Sequence, residues 1–187
     1  MKKETVKMNP FAAFAAAMLL LAGLILSAAA LESNVFTITQ KTLSVDLGPS
    51  FEIDGGGFNA SEQGMMSHDF LINNTAAPAA AFISVLSVYD DVLRRMSPGS
   101  LSELFLIGGL SAVEARSDRE TGNWTAPDLQ GNKVTVHNMS TKDERIQILG
   151  GSYDMAVWSL DDSTYAVMVS LLDRNNTTQI IKTLAVI

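Results

Sequence analysis

Short stretches of alternating apolar and polar residues follow one another from Phe36 onward, with turn residues between them. A period of two is typical of strands that bury one face. It predicts strands at 36–39, 43–47, 51–53, 70–72, 133–136, 146–149, 155–160 and 165–172. Stretch 81–89 has apolar residues at both odd and even positions, which indicates a central strand buried on both faces. Asp161, Asp162 and Ser163 predict a hairpin turn between the last two strands.

Two stretches have helical features instead. Ser100 and Glu103 have the spacing of a capping box, so we predict a helix that starts near Ser100. Its glycine pair, Gly108-Gly109, indicates either the end of that helix or close packing against a neighbour. Asn175-Asn176-Thr177 predicts the start of a final helix, with one apolar face formed by Ile180, Ile181, Leu184 and Ile187. The expected fold class is therefore α+β, an antiparallel sheet flanked by helices.

The N-terminal region has a different pattern. No charged residue occurs between Met8 and Leu31, and three lysines precede this run. An apolar helix with basic residues on its N-terminal side keeps that side in the cytoplasm. Residues 11–31 are long enough to cross a bilayer core of about 30 Å. We therefore expect a helix that anchors the chain in the cell membrane in a single pass, and an extracytoplasmic body.

Cleavage is the alternative to anchoring. Residues 27–30, Ser-Ala-Ala-Ala, match the small-residue pattern of a signal-peptidase site, and cleavage after Ala30 would release a secreted body. In both cases residues 1–31 form the anchor or signal segment. Residues 32–187 then form one extracytoplasmic α+β domain.

Composition excludes several classes of function. The chain of 187 residues has no cysteine, which excludes disulfides, thiolate metal sites, a nucleophilic cysteine and a lipid attached through cysteine. The body carries 10 basic and 19 acidic residues, a net charge of −9. Nucleic-acid partners are therefore not expected, because phosphate binding needs a basic surface.

The two histidines are the candidates for chemistry. His68, beside Asp69, and His137 could serve as metal ligands or as a general base. They lack the clustered spacing of metal ligands, and no phosphate-binding loop or nucleophile elbow accompanies them. We therefore predict no metal, cofactor or catalytic residue, and we expect the two histidines to lie far apart or to face solvent.

Two kinds of residue indicate contacts outside the chain. Trp124 falls in the polar stretch 117–131, which we predict to be an exposed loop, so it is a candidate for binding a protein partner. Six of the ten asparagines begin an N-x-S/T sequon, and these are Asn59, Asn73, Asn123, Asn138, Asn175 and Asn176. All six are candidates for N-glycosylation of an extracytoplasmic protein.

The order of strands, a helix after Ser100, more strands, a hairpin and a terminal amphipathic helix resembles the PsbP-like fold. That fold is an antiparallel sheet flanked by helices and occurs in small extracytoplasmic accessory proteins. The chain also resembles small surface proteins of methanogenic archaea. The expected function is a non-catalytic accessory or binding domain with a protein partner. An extracytoplasmic hydrolase using His68 or His137 and a structural cell-surface subunit are the alternatives.

Overall fold

A computed structural model of the chain describes residues 35–38, 41–47, 49–54, 59–62, 64–114 and 117–187. Its strands are β1 (Val35–Ile38), β2 (Lys41–Ser44), β3 (Phe51–Asp54), β4 (Asn59–Glu62), β5 (Met65–Asn74), β6 (Ala80–Val88), β7 (Arg119–Pro127), β8 (Lys133–Ser140), β9 (Ser152–Asp161), β10 (Thr164–Ser170) and β11 (Ala185–Val186). Its helices are a 3₁₀ helix (Leu93–Arg95), α1 (Pro98–Glu114), α2 (Glu144–Gln147) and α3 (Arg174–Thr183). The predicted anchor at residues 11–31 lies outside the described residues.

The strands form two sheets in which the described pairs are antiparallel. The larger sheet has eight strands in the order β3-β5-β6-β10-β9-β8-β7, and β4 pairs with the other half of β5. The smaller sheet has the order β1-β2-β11. This arrangement confirms the α+β class with an antiparallel sheet. No helix among the described residues is long and apolar enough to span a bilayer.

The large sheet is covered on both sides. We call its two sides the α3 face and the α1 face. On the α3 face, Ile180 and Ile181 of α3 pack with Leu43 of the small sheet and with Ile83 and Trp158 of the large sheet. On the α1 face, α1 packs its apolar side chains onto residues of β5, β6, β9 and β10. The helices and the small sheet thus bury apolar side chains on both faces of the central strands.

Strand β6 confirms the prediction of a central strand. It lies between β5 and β10, and all residues from Ala81 to Leu86 are buried. The hairpin prediction is also confirmed, because β9 and β10 pair directly and the Ser163 amide donates to Asp161 Oδ1 at 2.8 Å. The apolar runs of β6, β9 and β10 were therefore assigned correctly from the sequence.

Helix α1 continues through its glycine pair. A methyl group on Gly109 would overlap Cε of the buried Met155 on β9, so the glycine permits close contact between helix and sheet. The predicted capping box at Ser100 was wrong. Ser100 lies inside the helix, and its amide donates to Oγ of Ser97 at 3.2 Å, which makes Ser97 the residue that caps the first turn.

The predicted loop at 117–131 was wrong, because its residues 119–127 form β7. This strand is the last in the described sheet order, and most of its residues are exposed on both faces. An edge strand of this kind buries few side chains and has little apolar alternation. The alternation of apolar and polar residues, from which the other strands were predicted, is therefore absent from β7.

The predicted strand at 146–149 was also wrong, because α2 occupies the first part of it. Asp143 accepts a hydrogen bond from the Arg145 amide at 3.0 Å and caps this short helix. The turn ends at Gly150 and Gly151, which have positive φ. Ile148 is 85% exposed, so the apolar run Ile146–Leu149 does not form a buried strand.

The final helix is confirmed, with a different cap. Asp173 caps α3 by accepting a hydrogen bond from the Asn176 amide at 2.9 Å, so Asn175, Asn176 and Thr177 lie within the helix. Ile187 was wrongly placed on the apolar face. It follows β11 and is 66% exposed.

Candidate functional site

The two histidines lie on opposite faces of the large sheet. His68 on β5 shares the α3 face with Phe70, and His137 on β8 shares the α1 face with Met139. Strands β6, β10 and β9 separate β5 from β8, which corresponds to about 19 Å at the usual strand spacing. This separation confirms the expectation that they do not converge. Burial lowers the pKa of the His68 imidazole.

His137 lies beside a carboxylate, that of Glu120, which was not predicted from the sequence. Its Nδ1 lies 3.0 Å from Oε1 of Glu120 on β7, without the angular geometry of a hydrogen bond. The nearby imidazole nevertheless holds the pKa of Glu120 below its usual value. Nε2 of His137 is buried and has no hydrogen-bond partner within the described part of the chain. A bulge between Glu120 and Gly122 brings the carboxylate onto the histidine's face, and a bulge is not visible in sequence spacing.

A buried carboxylate, Asp69, lies on the same face of the sheet as His137. Asp69 on β5 is only 4% exposed, and it is opposite Ser84 of β6, which is fully buried. Burial raises the pKa of Asp69 to about 6, against a smaller lowering by the Ser84 hydroxyl. Among the described residues, Oδ1 of Asp69 and Oγ of Ser84 have no partner with hydrogen-bond geometry. Such a carboxylate is costly to ionise.

The side chains that could act as metal ligands are dispersed among the described residues. The described residues contain no group of three histidine, aspartate or glutamate side chains that could hold a metal ion. The His137 and Glu120 pair would therefore need ligands from elsewhere to coordinate one.

Trp124 lies in β7 and is not in a loop. Its side chain is half-buried and packs at the border of the core on the α3 face. The guanidinium of Arg174, at the start of α3, lies over the indole ring at 4.6 Å from the ring centroid. This cation–π contact joins the edge strand to the helix. A role of Trp124 in partner binding stays a prediction.

A more exposed apolar surface lies between β6 and α1. We call residues 89–96 the Tyr89–Met96 segment. Three of its apolar side chains are exposed: Tyr89 by 54%, Val92 by 72% and Met96 by 38%. Arg94 and Arg95 are exposed beside them, and neither forms an ion pair within the described ranges. The segment combines exposed apolar side chains with two arginines, and Asp90 and Asp91 in the same segment balance the charge of these arginines.

The backbone of this segment is held in place at its start. The amides of Tyr89 and Asp90 donate to the Gly64 carbonyl at 2.6 and 2.9 Å. Oδ1 of Asp90 accepts from the amides of Val92 and Leu93 at 2.8 and 2.9 Å. Gly64 has φ of +79° and approaches Asp90 so closely that a side chain would overlap it. These contacts hold the backbone from Tyr89 to Leu93 in one arrangement.

The predicted sequons begin in five different elements of the fold. Asn59 lies in β4 and Asn73 in β5, where Asn73 is half-buried. Asn123 is exposed on β7, and Asn138 is half-buried on β8. Asn175 and Asn176 are in the first turn of α3. No finding tests glycosylation, so all six sites stay predictions.

Comparison of the chain with models of protein families gives no match, and comparisons with curated proteins and with solved structures give no significant similarity. The resemblance to the PsbP-like fold therefore stays a prediction.

Proposed function

We propose that the chain is an extracytoplasmic binding domain tethered to the cell membrane, with residues 1–31 as anchor and residues 32–187 as the body. The charge-free apolar run at 11–31, preceded by Lys2, Lys3 and Lys7, supports the tether and its orientation. Cleavage after Ala30 and secretion of the body is the competing outcome.

The observation that carries the binding role is the Tyr89–Met96 segment. Tyrosine, methionine and arginine are enriched at protein interfaces, where aromatic side chains and arginine often dominate the binding energy. A segment already fixed by Gly64 and Asp90 would lose little conformational entropy on binding. Its chemistry suits a protein partner that offers an apolar depression flanked by carboxylates, because Arg94 and Arg95 are exposed and form no ion pair within the described residues.

The tether is tested by fractionating membranes from a host that expresses the full chain. We expect the protein to remain with the lipid after an alkaline wash and to have the intact mass of the uncleaved chain. A soluble product that begins at Leu31 would replace the tether by a cleaved signal peptide.

The binding surface is tested with a photo-crosslinking amino acid at Val92 in native membranes. Ile148 is the matched control, because it is 85% exposed and lies at the opposite end of the large sheet. We expect the Val92 probe to capture one protein, identified by mass spectrometry, and the Ile148 probe not to capture it. Replacing Arg94 and Arg95 by glutamate should abolish the crosslink, and replacing them by lysine should retain most of it.

Two results would contradict this surface. Capture of the same protein from Ile148, or capture that survives the charge reversal, would show that the contact is unspecific. Sedimentation of the protein with vesicles containing anionic lipid, lost on the charge reversal at Arg94 and Arg95, would make the occupant a membrane surface.

Hydrolysis through His137 is the second candidate function. The contact of its Nδ1 with Glu120 favours it, because a carboxylate at one nitrogen orients a histidine that acts through the other. The burial of Nε2 counts against it. Ester or peptide hydrolysis by the purified protein that disappears in His137→Ala and persists in His68→Ala would establish this function.

A further inference from the structure

The six sequons differ in their accessibility once the chain is folded, because side chains of several of them form hydrogen bonds within the body. Asn138 uses both ends of its amide: Nδ2 donates to Asp154 Oδ1 at 3.0 Å, and Oδ1 accepts from Thr121 at 2.7 Å. A glycan on this nitrogen would displace the first bond and would have to pass between neighbouring strands. The folded body therefore does not present Asn138 as an acceptor.

The two overlapping sequons of α3 are restrained in another way. Thr177, the hydroxyl residue of the Asn175 sequon, is fully buried, and its Oγ1 is bonded to Ser170 at 2.8 Å. Asn176 donates its Nδ2 to Asp173 Oδ2 at 2.7 Å as part of the helix cap. A transferase that recognises both the asparagine and the hydroxyl residue cannot take either sequon without unwinding the first turn of α3.

The Asn123 sequon is accessible at both of its recognised positions. Asn123 and Thr125 alternate with Trp124 along β7, so both side chains lie on one face of the strand, and both are exposed. The Asn123 amide makes one long hydrogen bond, from Nδ2 to Oε1 of Glu120 at 3.3 Å. Strand β7 pairs on one side with β8, and a bulge directly precedes Asn123, so local release of the backbone is inexpensive.

We propose that Asn123 is an N-glycan acceptor of the folded body, a proposal that rests on the extracytoplasmic location of the proposed function. The co-reactant is a lipid-linked oligosaccharide, and an oligosaccharyltransferase catalyses the transfer. The amide nitrogen of Asn123 attacks C1 of the first sugar, the N–C1 bond forms, and the C1–O bond to the lipid phosphate breaks. The amide nitrogen loses one proton and the lipid phosphate leaves, so that no oxidant or reductant is needed.

A glycan at this position would have a physical consequence for the fold. It would cover one flank of the described sheet edge, which otherwise offers unpaired backbone groups to another chain. The Tyr89–Met96 segment follows β6, and three strands separate β6 from β7. The glycan would therefore leave the proposed binding surface open.

The test is site-resolved mass spectrometry of the full chain from a host with an extracytoplasmic oligosaccharyltransferase. A flexible reporter sequon is appended after Ile187, which is exposed, to show that the body reaches the enzyme. We expect glycan on the reporter and on Asn123. The Asn123 glycan should be absent from Asn123→Gln and Thr125→Ala, and it should persist in Thr125→Ser and in Asn138→Gln.

Each contrary result has a distinct meaning. A modified reporter with an empty Asn123, or with glycan on Asn138 or Asn175 instead, would overturn the assignment and leave the proposed function intact. An unmodified reporter, in a host that modifies the same sequon on a known secreted protein, would overturn both, because the body would not reach the extracytoplasmic side.

Discussion

Replacing Asp69 by asparagine should stabilise the protein at neutral pH, although it removes a charged residue from an acidic chain. Asp69 is 4% exposed, and its Oδ1 has no hydrogen-bond partner in the described part of the structure. The substitution keeps the size of the side chain. It also supplies an amide that can donate to the Ser84 hydroxyl opposite.

The magnitude follows from the shifted pKa. Burial raises the pKa of Asp69 from 3.8 to about 6, a shift of about 2 units, which is worth roughly 3 kcal/mol. Because the folded-state pKa lies above the unfolded-state value, the folded protein binds the proton more tightly. The contribution of Asp69 to stability is therefore largest below pH 3.8, falls as the pH rises towards 6, and is smallest above that range. Asp69→Asn should gain up to about 3 kcal/mol at pH 8 and almost nothing at pH 4.

The assay is urea unfolding of the full chain in detergent at pH 4 and pH 8, followed by tryptophan fluorescence. Trp158 is buried on the opposite face of the sheet and reports on global unfolding. Asp91→Asn, in the exposed turn after β6, is the control, and its effect should stay within about 0.5 kcal/mol at both pH values. Equal effects of Asp69→Asn at pH 4 and pH 8, or a loss of stability at pH 8, would refute the reasoning.

Two further predictions concern helices. Gly109→Ala should leave the free energy of unfolding within about 0.5 kcal/mol of its original value, because the terminal methyl of Met155 must shift aside and this offsets the better helix propensity of alanine. Gly99→Ala, in the same helix with open space around it, should raise it by up to about 1 kcal/mol, and equal effects in a thermal melt would disprove the role of Met155. Asp173→Ala should cost about 1 kcal/mol through the lost cap of α3, measured by urea unfolding. Asp173→Asn should retain most of that stability, and a loss equal to that of alanine would contradict the capping role.

The sequence predicted the parts of the fold in which burial is strong. Strand β6 is buried on both faces and therefore reads as a continuous apolar run, and α3 buries Ile180 and Ile181, whose side chains lie on one face of the helix. Strand β7 has exposed residues on both faces, and its pairing with β8 is a backbone property that leaves little trace in side chains. For this reason Trp124 was placed in a loop.

The candidate sites were harder to predict because they depend on contacts between distant positions. Glu120 meets His137 through a bulge, and Asp69 faces Ser84 through strand register. Neither the contact of Glu120 with His137 nor the pairing of Asp69 with Ser84 can be recognised from the spacing of residues along the sequence. The Tyr89–Met96 segment left a usable signal, because two arginines between exposed apolar residues follow a buried strand directly.

The small sheet has a consequence for how the body folds in time. Strand β11 pairs with β2, Ala185 opposite Ser44, and the Ile187 amide donates to the Thr42 carbonyl at 2.9 Å. Closing this contact joins positions roughly 140 residues apart, which is a slow step with a large loss of chain entropy. During synthesis β2 is made long before β11, so its second neighbouring strand is absent until almost the whole body has been made. The small sheet therefore cannot be completed until the last residues of the body have been made.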